Sequence, residues 1–203
     1  MLENLNKYNI VLASNSPRRR ELLAKLGIDF EVRVLPDIEE CYPEGLPAQD
    51  IPLYIAAEKA EANKSQMGKD DLIITADTVV ICDGKVLGKP ADAAEAHHML
   101  SMLSGKTHQV VTGVCMMSAE RQRKFAVTTD VTFKELSAEE TDYYIDKYQP
   151  YDKAGAYGIQ EWIGYIGVTE ISGSFFNVMG LPVQRVYKEL LMFKKGIKCK
   201  FMD

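Results

Sequence analysis

An apolar run at residues 72–81, LIITADTVVI, constrains the fold of this chain more than any other segment. A run that is apolar on both faces is typical of a strand buried in the middle of a sheet. Asp77 lies near its centre, where a carboxylate is costly to bury unless it is paired, hydrogen-bonded or bound to a metal. We predict that Asp77 is functional, as a magnesium ligand or as a base acting on water. The alternative is a structural aspartate satisfied by backbone donors.

Helices and strands alternate early in the chain, and adjacent strands follow. The patterns predict strands at residues 8–13, 30–35, 72–81, 107–118 and 125–135. They predict helices at residues 17–27, 53–66, 92–103, 137–148 and 182–194. A loop rich in proline and glutamate covers residues 36–48, and a glycine-rich, aromatic-rich segment covers residues 155–180. This order favours an α/β fold with a mixed sheet over a purely parallel one.

The composition excludes several classes of protein. Of the 203 residues, 46% are hydrophobic and 26% are charged, which is typical of globular proteins and not of disordered chains. The net charge of -5 lacks the basic excess that nucleic-acid binding needs. No apolar run approaches the roughly 20 residues that span a bilayer, and the first residues lack the apolar core of a secretion signal. The four cysteines (Cys41, Cys82, Cys115 and Cys199) include no CxxC pair. We therefore expect a cytoplasmic protein with reduced thiols, binding neither membrane nor nucleic acid.

The run SNSPRRR at residues 14–20 predicts the start of a helix, with Ser16 as the capping residue and Pro17 in the first turn. Three arginines at a helix start are unfavourable unless an anion binds there, because that end already carries partial positive charge. The hydroxyls of Ser14 and Ser16, free backbone N–H groups and guanidinium groups together suit a phosphate chain. The alternative is a solvated helix face. The segment is not a Walker loop, because the pattern GxxxxGK[ST] is absent.

Three further sites carry groups suited to a phosphate-bearing ligand. Lys89 follows the buried strand and adds a cation, whereas Glu39 and Glu40 lie in the predicted loop and become candidate metal ligands if Asp77 is near. Gln160 ends the dense segment YDKAGAYGIQ, where its amide is a candidate to read a base edge. Each is more often an ordinary polar residue when taken alone. The histidines form no arrangement that indicates catalysis.

Seven motifs occur together and in a fixed order. They are LASNSPRR at residues 12–19, EKA at 58–60, ADT at 76–78, GKP at 88–90, HQVVTG at 108–113, DKAGAYGIQ at 152–160 and NVMGLP at 177–182. The ordered set resembles the Maf family of nucleoside triphosphate pyrophosphatases, over about residues 8–192. We therefore expect residues 1–203 to form a single Maf-like domain.

The resemblance implies a fold similar to that of the inosine-triphosphate pyrophosphatases. That fold is an elongated mixed β-sheet with flanking helices, in two lobes around a cleft. The family is implied to be cytoplasmic, homodimeric and dependent on a divalent metal, Mg²⁺ or Mn²⁺. Its reaction releases pyrophosphate from a nucleoside triphosphate and leaves the monophosphate.

The resemblance also implies roles for particular residues. Asp77 matches the proposed proton acceptor, and Arg18, Thr78 and Gln160 match positions tied to substrate choice. The other polar positions of the cleft are Arg19, Glu40, Lys59 and Lys89, with Glu39 as the alternative to Glu40. The set SPRR, ADT and GIQ resembles the family branch that prefers dTTP and UTP, not the branch that acts on 7-methyl-GTP. We predict a dTTP/UTP pyrophosphatase with the metal held by Asp77 and Glu40, although a division regulator that binds nucleotides with little catalysis is the alternative.

Overall fold

The structure, a computed structural model, describes residues 3–35 and 40–193. The described strands are β1 (Asn9–Leu12), β2 (Glu31–Val32), β3 (Asp71–Cys82), β4 (Lys85–Leu87), β5 (Thr107–Met117), β6 (Gln122–Phe133) and β7 (Val168–Ser172). They form one sheet in the order β2-β1-β3-β5-β6-β7, with β4 also paired to β3. β1 runs parallel to β2 and β3, whereas the other pairs are antiparallel. The prediction of an α/β fold with a mixed sheet is confirmed.

Seven α-helices flank the sheet in the described part of the chain. They are α1 (Pro17–Ala24), α2 (Ile51–Asn63), α3 (Ala93–Leu103), α4 (Ala138–Tyr148), α5 (Trp162–Gly167), α6 (Phe175–Val178) and α7 (Val183–Met192). Short 3-10 helices cover Glu3–Leu5, Lys64–Gln66 and Ala154–Ala156. α1 begins as predicted, because the Ser16 hydroxyl accepts the Arg19 N–H and Pro17 occupies the first turn. None of the helices described is long and apolar enough to cross a membrane.

The central strands divide the core on one face of the sheet into two clusters. One cluster joins β1, α1 and α7 to Leu72 and Ile74 of β3. The second joins α3, α4 and α5 to Val80 and Cys82, farther along the same strand. α2 covers the opposite face, where residues such as Ile55 pack against Val79. Two lobes therefore share one sheet, and the middle of β3 lies where the two clusters part.

Two stretches differ from the prediction. The strand expected at residues 30–35 is only Glu31–Val32, and both residues are exposed at the edge of the sheet. The glycine-rich segment at 155–180 holds α5, β7 and α6, none of which the local sequence indicates. α5 contains two glycines, which disfavour helix, and β7 forms by pairing with the distant β6. Tertiary contacts therefore decide both elements.

The predicted reduced thiols agree with the structure for the cysteines that it describes. Cys41, Cys82 and Cys115 are free, and burial raises the pKa of Cys115 to about 11. Cys199 lies outside the described residues. Glu39, the alternative to Glu40, lies outside them as well.

Candidate active site

The site forms at a gap in the pairing of β3. β5 pairs with β3 from Ile73 to Ile81 along one edge, so β1 and β4 share the other edge. Along β3, the pairing with β1 ends at Ile74, and the pairing with β4 begins at Val80. In the described structure, residues 75–79 therefore have no strand partner on that edge. A cleft of about 410 Å³ opens there, a size typical of small-molecule sites.

The structure brings every described candidate residue of the sequence prediction to this cleft. Its lining includes Ser14, Ser16, Arg18, Arg19, Glu40, Lys59, Asp77, Thr78, Lys89 and Gln160. These residues come from α1, α2, β3 and four separate loops, and they lie on both lobes.

Two carboxylates meet at one ammonium group in the cleft. Lys59 of α2 places its Nζ 2.9 Å from Asp77 Oδ1 and 2.7 Å from Glu40 Oε1. Asp77 is 8% exposed, whereas Glu40 lies nearer to solvent. Burial opposes the charged form of Glu40, but the positive charges of Lys59, Lys89 and Arg19 together outweigh it and lower the pKa of Glu40. The ion pairs explain how Asp77 is tolerated at the centre of an apolar strand.

The same pair of carboxylates fits a divalent cation. Both place an oxygen beside a single positive charge, and carboxylate oxygens are the ligands that Mg²⁺ prefers. No group of three or more acidic, histidine or cysteine ligands occurs among the residues described. Such a set of two carboxylates suits a magnesium ion that takes its remaining ligands from phosphate and water.

Arg19 is held by the backbone around the gap. Its guanidinium group donates to the carbonyl oxygen of Ala76 at 2.7 Å and to that of Gly180 at 2.8 Å. It also donates to Thr78 Oγ1 at 3.1 Å. Burial lowers the pKa of Arg19, and the nearby charge of Asp77 opposes this effect. These contacts indicate that Arg19 satisfies the free edge of β3 and joins it to α1. The phosphate contact expected for Arg19 stays a prediction.

The hydroxyl of Thr78 also donates its proton to another residue of the protein. Thr112 lies opposite on β5 and donates its own proton to the carbonyl oxygen of Asn177 at 3.1 Å. Thr78 therefore donates to Thr112 Oγ1 at 2.9 Å, since each hydroxyl has one proton. Thr78 accepts from Arg19, so its contacts fix the arginine beside the cleft.

Two cations remain close to the open cleft. Arg18 reaches across it, with Nη1 2.8 Å from Asp152 Oδ2 on the second lobe. Lys89 is exposed and makes no ion pair with the residues described. Both are therefore accessible to an anion that enters between the lobes.

Gln160 presents an acceptor without a partner. Its Oε1 is buried, and no hydrogen bond to it is found among the described residues. An amide oxygen in this state favours a ligand that offers an N–H donor. The sequence analysis predicts that the amide of Gln160 reads the edge of a base, and such an edge can offer an N–H donor.

Asp152, Lys153 and Tyr157 also line the cleft, although the sequence prediction gave them no role. Their only signal is their place in the motif DKAGAYGIQ. Lys153 is 8% exposed and pairs with Asp152 at 2.7 Å and Glu161 at 3.2 Å. The motif therefore contributes a chain of ion pairs beside Gln160, with the buried Lys153 at its centre, as well as tight backbone turns.

A buried histidine, His108, lies behind the cleft, and from it we predict that the free energy of unfolding falls in acid. His108 is 1% exposed, its Nε2 lies 2.8 Å from Tyr157 Oη, and burial lowers the pKa of His108 from 6.5 to about 4. The unfolded chain therefore binds the proton more tightly than the folded protein, and stability falls as pH drops below about 6.5. Between pH 8 and pH 5 this group should lower the free energy of unfolding by about 2 kcal/mol.

Denaturant titrations of the wild type, His108→Gln and His98→Gln at several pH values test this contribution. Only His108→Gln should show a shallower dependence on pH, because His98 is exposed. Parallel curves for all three proteins would show that His108 titrates normally.

Known proteins resemble this chain over nearly its whole length. Residues 9–193 match the family described as Maf-like protein. A dTTP/UTP pyrophosphatase of Phocaeicola vulgatus is 65% identical over 94% of this chain and 98% of its own length. A dTTP/UTP pyrophosphatase of Parabacteroides distasonis is 61% identical over 95% of this chain and 100% of its own length. Among solved structures, a nucleoside-triphosphatase / dITP/XTP pyrophosphatase from Mycobacterium abscessus has a TM-score of 0.41 and 19% identity, covering 64% of this chain and 76% of that one.

Proposed function

This chain belongs to the Maf-like protein family, and on that premise we propose that it hydrolyses dTTP and UTP to the monophosphate and pyrophosphate. The names of its relatives support these substrates. The observation that carries the reaction is the placement of Asp77 at the unpaired edge of β3, in a cleft lined by cations. Attack of water at the α phosphate requires a proton acceptor and positive charge for the leaving pyrophosphate. The cleft offers both.

The phosphate chain is proposed to bind between the lobes, against Lys89 and Arg18. Lys89 has no ion pair to break among the described residues, and the Arg18–Asp152 pair is exposed enough to open at low cost. Ser14 and Ser16 line the same wall at the start of α1, where the helix dipole favours an anion. Lys59 forms ion pairs with both Asp77 and Glu40, and its single positive charge offsets one of the two negative charges. We therefore expect Lys59 to contact phosphate only when these ion pairs rearrange.

Asp77 is proposed to receive the proton of the attacking water or to hold the metal. Its Oδ1 is fixed by Lys59, whereas Oδ2 has no hydrogen-bond partner among the residues described. A divalent cation, Mg²⁺ or Mn²⁺, would be held by Asp77 and Glu40 and would supply positive charge to the phosphate oxygens. Because Oδ2 has no partner among the residues described, it is the oxygen available for either role.

Gln160 is proposed to select the base through Oε1. Uracil and thymine carry an N–H donor at N3, whereas cytosine has an acceptor at that position. A buried acceptor that gains a donor favours the first two bases and rejects the third, because an unpaired buried group is costly.

Replacing Gln160 by glutamate should change the preference between nucleotides. We expect the ratio of kcat/KM for UTP to that for CTP to change about 10-fold or more, since the amide becomes a charged acceptor in a partly buried place. Steady-state kinetics on both nucleotides measure the ratio. Gln66→Glu is the matched control, because Gln66 is exposed on a 3-10 helix outside the cleft. If the ratio is the same in the variant and the wild type, Gln160 does not read the base.

Product analysis tests the reaction itself. The purified protein is incubated with Mg²⁺ and, separately, dTTP, UTP, CTP, dATP, GTP and 7-methyl-GTP. We expect monophosphate and pyrophosphate in equal amounts, with dTTP and UTP consumed fastest. Preference for 7-methyl-GTP would overturn the interpretation of Arg18, Thr78 and Gln160 as the residues of the branch that prefers dTTP and UTP. Tight binding with no turnover of any nucleotide would favour the division regulator instead.

The resemblance extends the proposal to organisation and location. We propose a single Maf-like domain over residues 1–203, a homodimer, and a cytoplasmic enzyme that binds neither membrane nor nucleic acid. The strands β3 and β5, which contribute to both core clusters, support one domain with two lobes. Light scattering on the purified protein measures the state of assembly.

A further inference from the structure

A tyrosine outside the cleft holds the segment that carries Gln160. Tyr144 of α4 is 0% exposed and does not line the cleft. Its hydroxyl accepts the backbone N–H of Gly158 at 2.9 Å and donates to Glu161 Oε2. Burial and the Glu161 carboxylate both raise the pKa of Tyr144, so the hydroxyl stays protonated and remains a donor. One hydroxyl group thus binds the residues on either side of the turn that contains Gln160.

Glu161 completes the same arrangement. Its carboxylate lies directly over Gly158, where a Cβ would be only 2.8 Å from Glu161 Cδ. The second carboxylate oxygen, Oε1, pairs with Lys153 Nζ at 3.2 Å. Both oxygens of Glu161 therefore have partners, and these contacts fix the side chain between Tyr144 and Lys153.

A backbone hydrogen bond also holds the turn at residues 158–161. The N–H of Glu161 donates to the carbonyl oxygen of Gly158 at 2.9 Å, and Ile159 is buried in the second core cluster. Gln160 lies between these fixed points and lines the cleft, and its buried Oε1 has no hydrogen-bond partner among the described residues. A single hydrogen bond discriminates between bases only when its atom is held within about 0.5 Å of the productive position.

We propose that Tyr144 and Glu161 are positioning residues for base selection, which act by fixing the turn that carries Gln160. The proposal rests on the proposed function, in which Gln160 reads the base. Neither residue lines the cleft. Their loss should weaken the discrimination between bases more than it weakens the chemical step.

Tyr144→Phe removes the hydroxyl and keeps the packed ring. We expect the ratio of kcat/KM for UTP to that for CTP to fall about 10-fold, mainly through a higher KM for UTP, with kcat less affected. A variant that merely contained less folded protein would lose activity on both nucleotides equally and keep the ratio. Tyr143→Phe is the matched control, since the Tyr143 hydroxyl is on the same helix but exposed and bound to Lys147.

A second variant disturbs the same contact from the other side. Gly158→Ala places a methyl group against the Glu161 carboxylate and should shift it from Tyr144. We expect the same fall in the nucleotide ratio. This variant keeps the test available if Tyr144→Phe does not fold.

Amide hydrogen exchange of the full-length protein without nucleotide gives a measurement independent of activity. Peptides that cover residues 158–161 should exchange about 10-fold faster in Tyr144→Phe than in the wild type, and at the wild-type rate in Tyr143→Phe. An unchanged nucleotide ratio together with unchanged exchange would overturn the positioning role, even where the wild type hydrolyses UTP as proposed. If the wild type hydrolyses neither pyrimidine nucleotide, the proposed function fails, and the exchange rates alone decide whether Tyr144 and Glu161 fix the turn.

Discussion

Replacing Asp77 by asparagine should lower kcat for dTTP and UTP by at least about 100-fold, the usual loss when a proton acceptor is removed. Asparagine has the same shape, but it neither accepts the proton of water nor binds a divalent cation well. The change also leaves Lys59 with Glu40 as its one remaining carboxylate partner among the described residues. A coupled assay that monitors the release of pyrophosphate at saturating dTTP measures the loss of kcat.

Asp71→Asn is the matched control for this variant. Asp71 lies on the same strand as Asp77, is also buried, and pairs with Arg33 at 2.7 Å outside the cleft. Its replacement removes a partly buried ion pair and lowers stability, but turnover per folded molecule should stay near that of the wild type. Circular dichroism establishes the folded fraction for both variants. A wild-type kcat for Asp77→Asn would refute the role of Asp77.

A titration with Mg²⁺ separates the two roles that Asp77 can have. If Asp77 is a metal ligand, the concentration of Mg²⁺ needed for half-maximal rate should rise in Asp77→Asn. If it is only the proton acceptor, kcat should fall while that concentration is unchanged. Glu40→Gln is the companion variant, because the same ammonium joins Glu40 to Asp77 and the proposal makes it the second metal ligand.

Local sequence was sufficient to predict the central strand and the start of α1. The apolar run around Asp77 and the serine–proline capping signal depend on neighbouring residues, and the structure has both features. The candidate residues of the cleft were identified as a set because the ordered motifs resemble one family. Their convergence follows from the topology, since residues 75–79 lack a strand partner on one edge in the described structure.

The partners of these side chains could not be predicted from the sequence. Arg19 is as good a phosphate ligand as Arg18 by residue type, yet its donors bind backbone carbonyls at positions far along the chain. The hydrogen bond between Tyr144 and Gly158 likewise depends on where α4 packs. Such contacts depend on the tertiary arrangement, and no local periodicity encodes them.

Gly113→Ala should destabilise the protein by about 3 kcal/mol, the upper part of the usual range for overpacking. α2 lies so close to β5 here that a Cβ at Gly113 would be 2.3 Å from the backbone nitrogen of Leu53. Backbone atoms cannot rotate away, so the helix must shift. Gly88→Ala is the control, because a Cβ there meets no atom within 4 Å and should leave stability unchanged or slightly higher. Urea titrations measure both values.

Gly113→Ala should also affect catalysis, because Gly113 lies opposite Asp77 in the pairing of β5 with β3 and α2 carries Lys59. A shift of α2 away from β5 moves the Lys59 ammonium from its position 2.9 Å from Asp77 Oδ1. We therefore expect Gly113→Ala to lower kcat per folded molecule as well as stability, whereas Gly88→Ala lowers neither stability nor the folded fraction. Unchanged stability in Gly113→Ala would mean that α2 and β5 are farther apart than the structure has them. Lost stability with wild-type kcat would mean that Lys59 holds its place without the close packing of its helix.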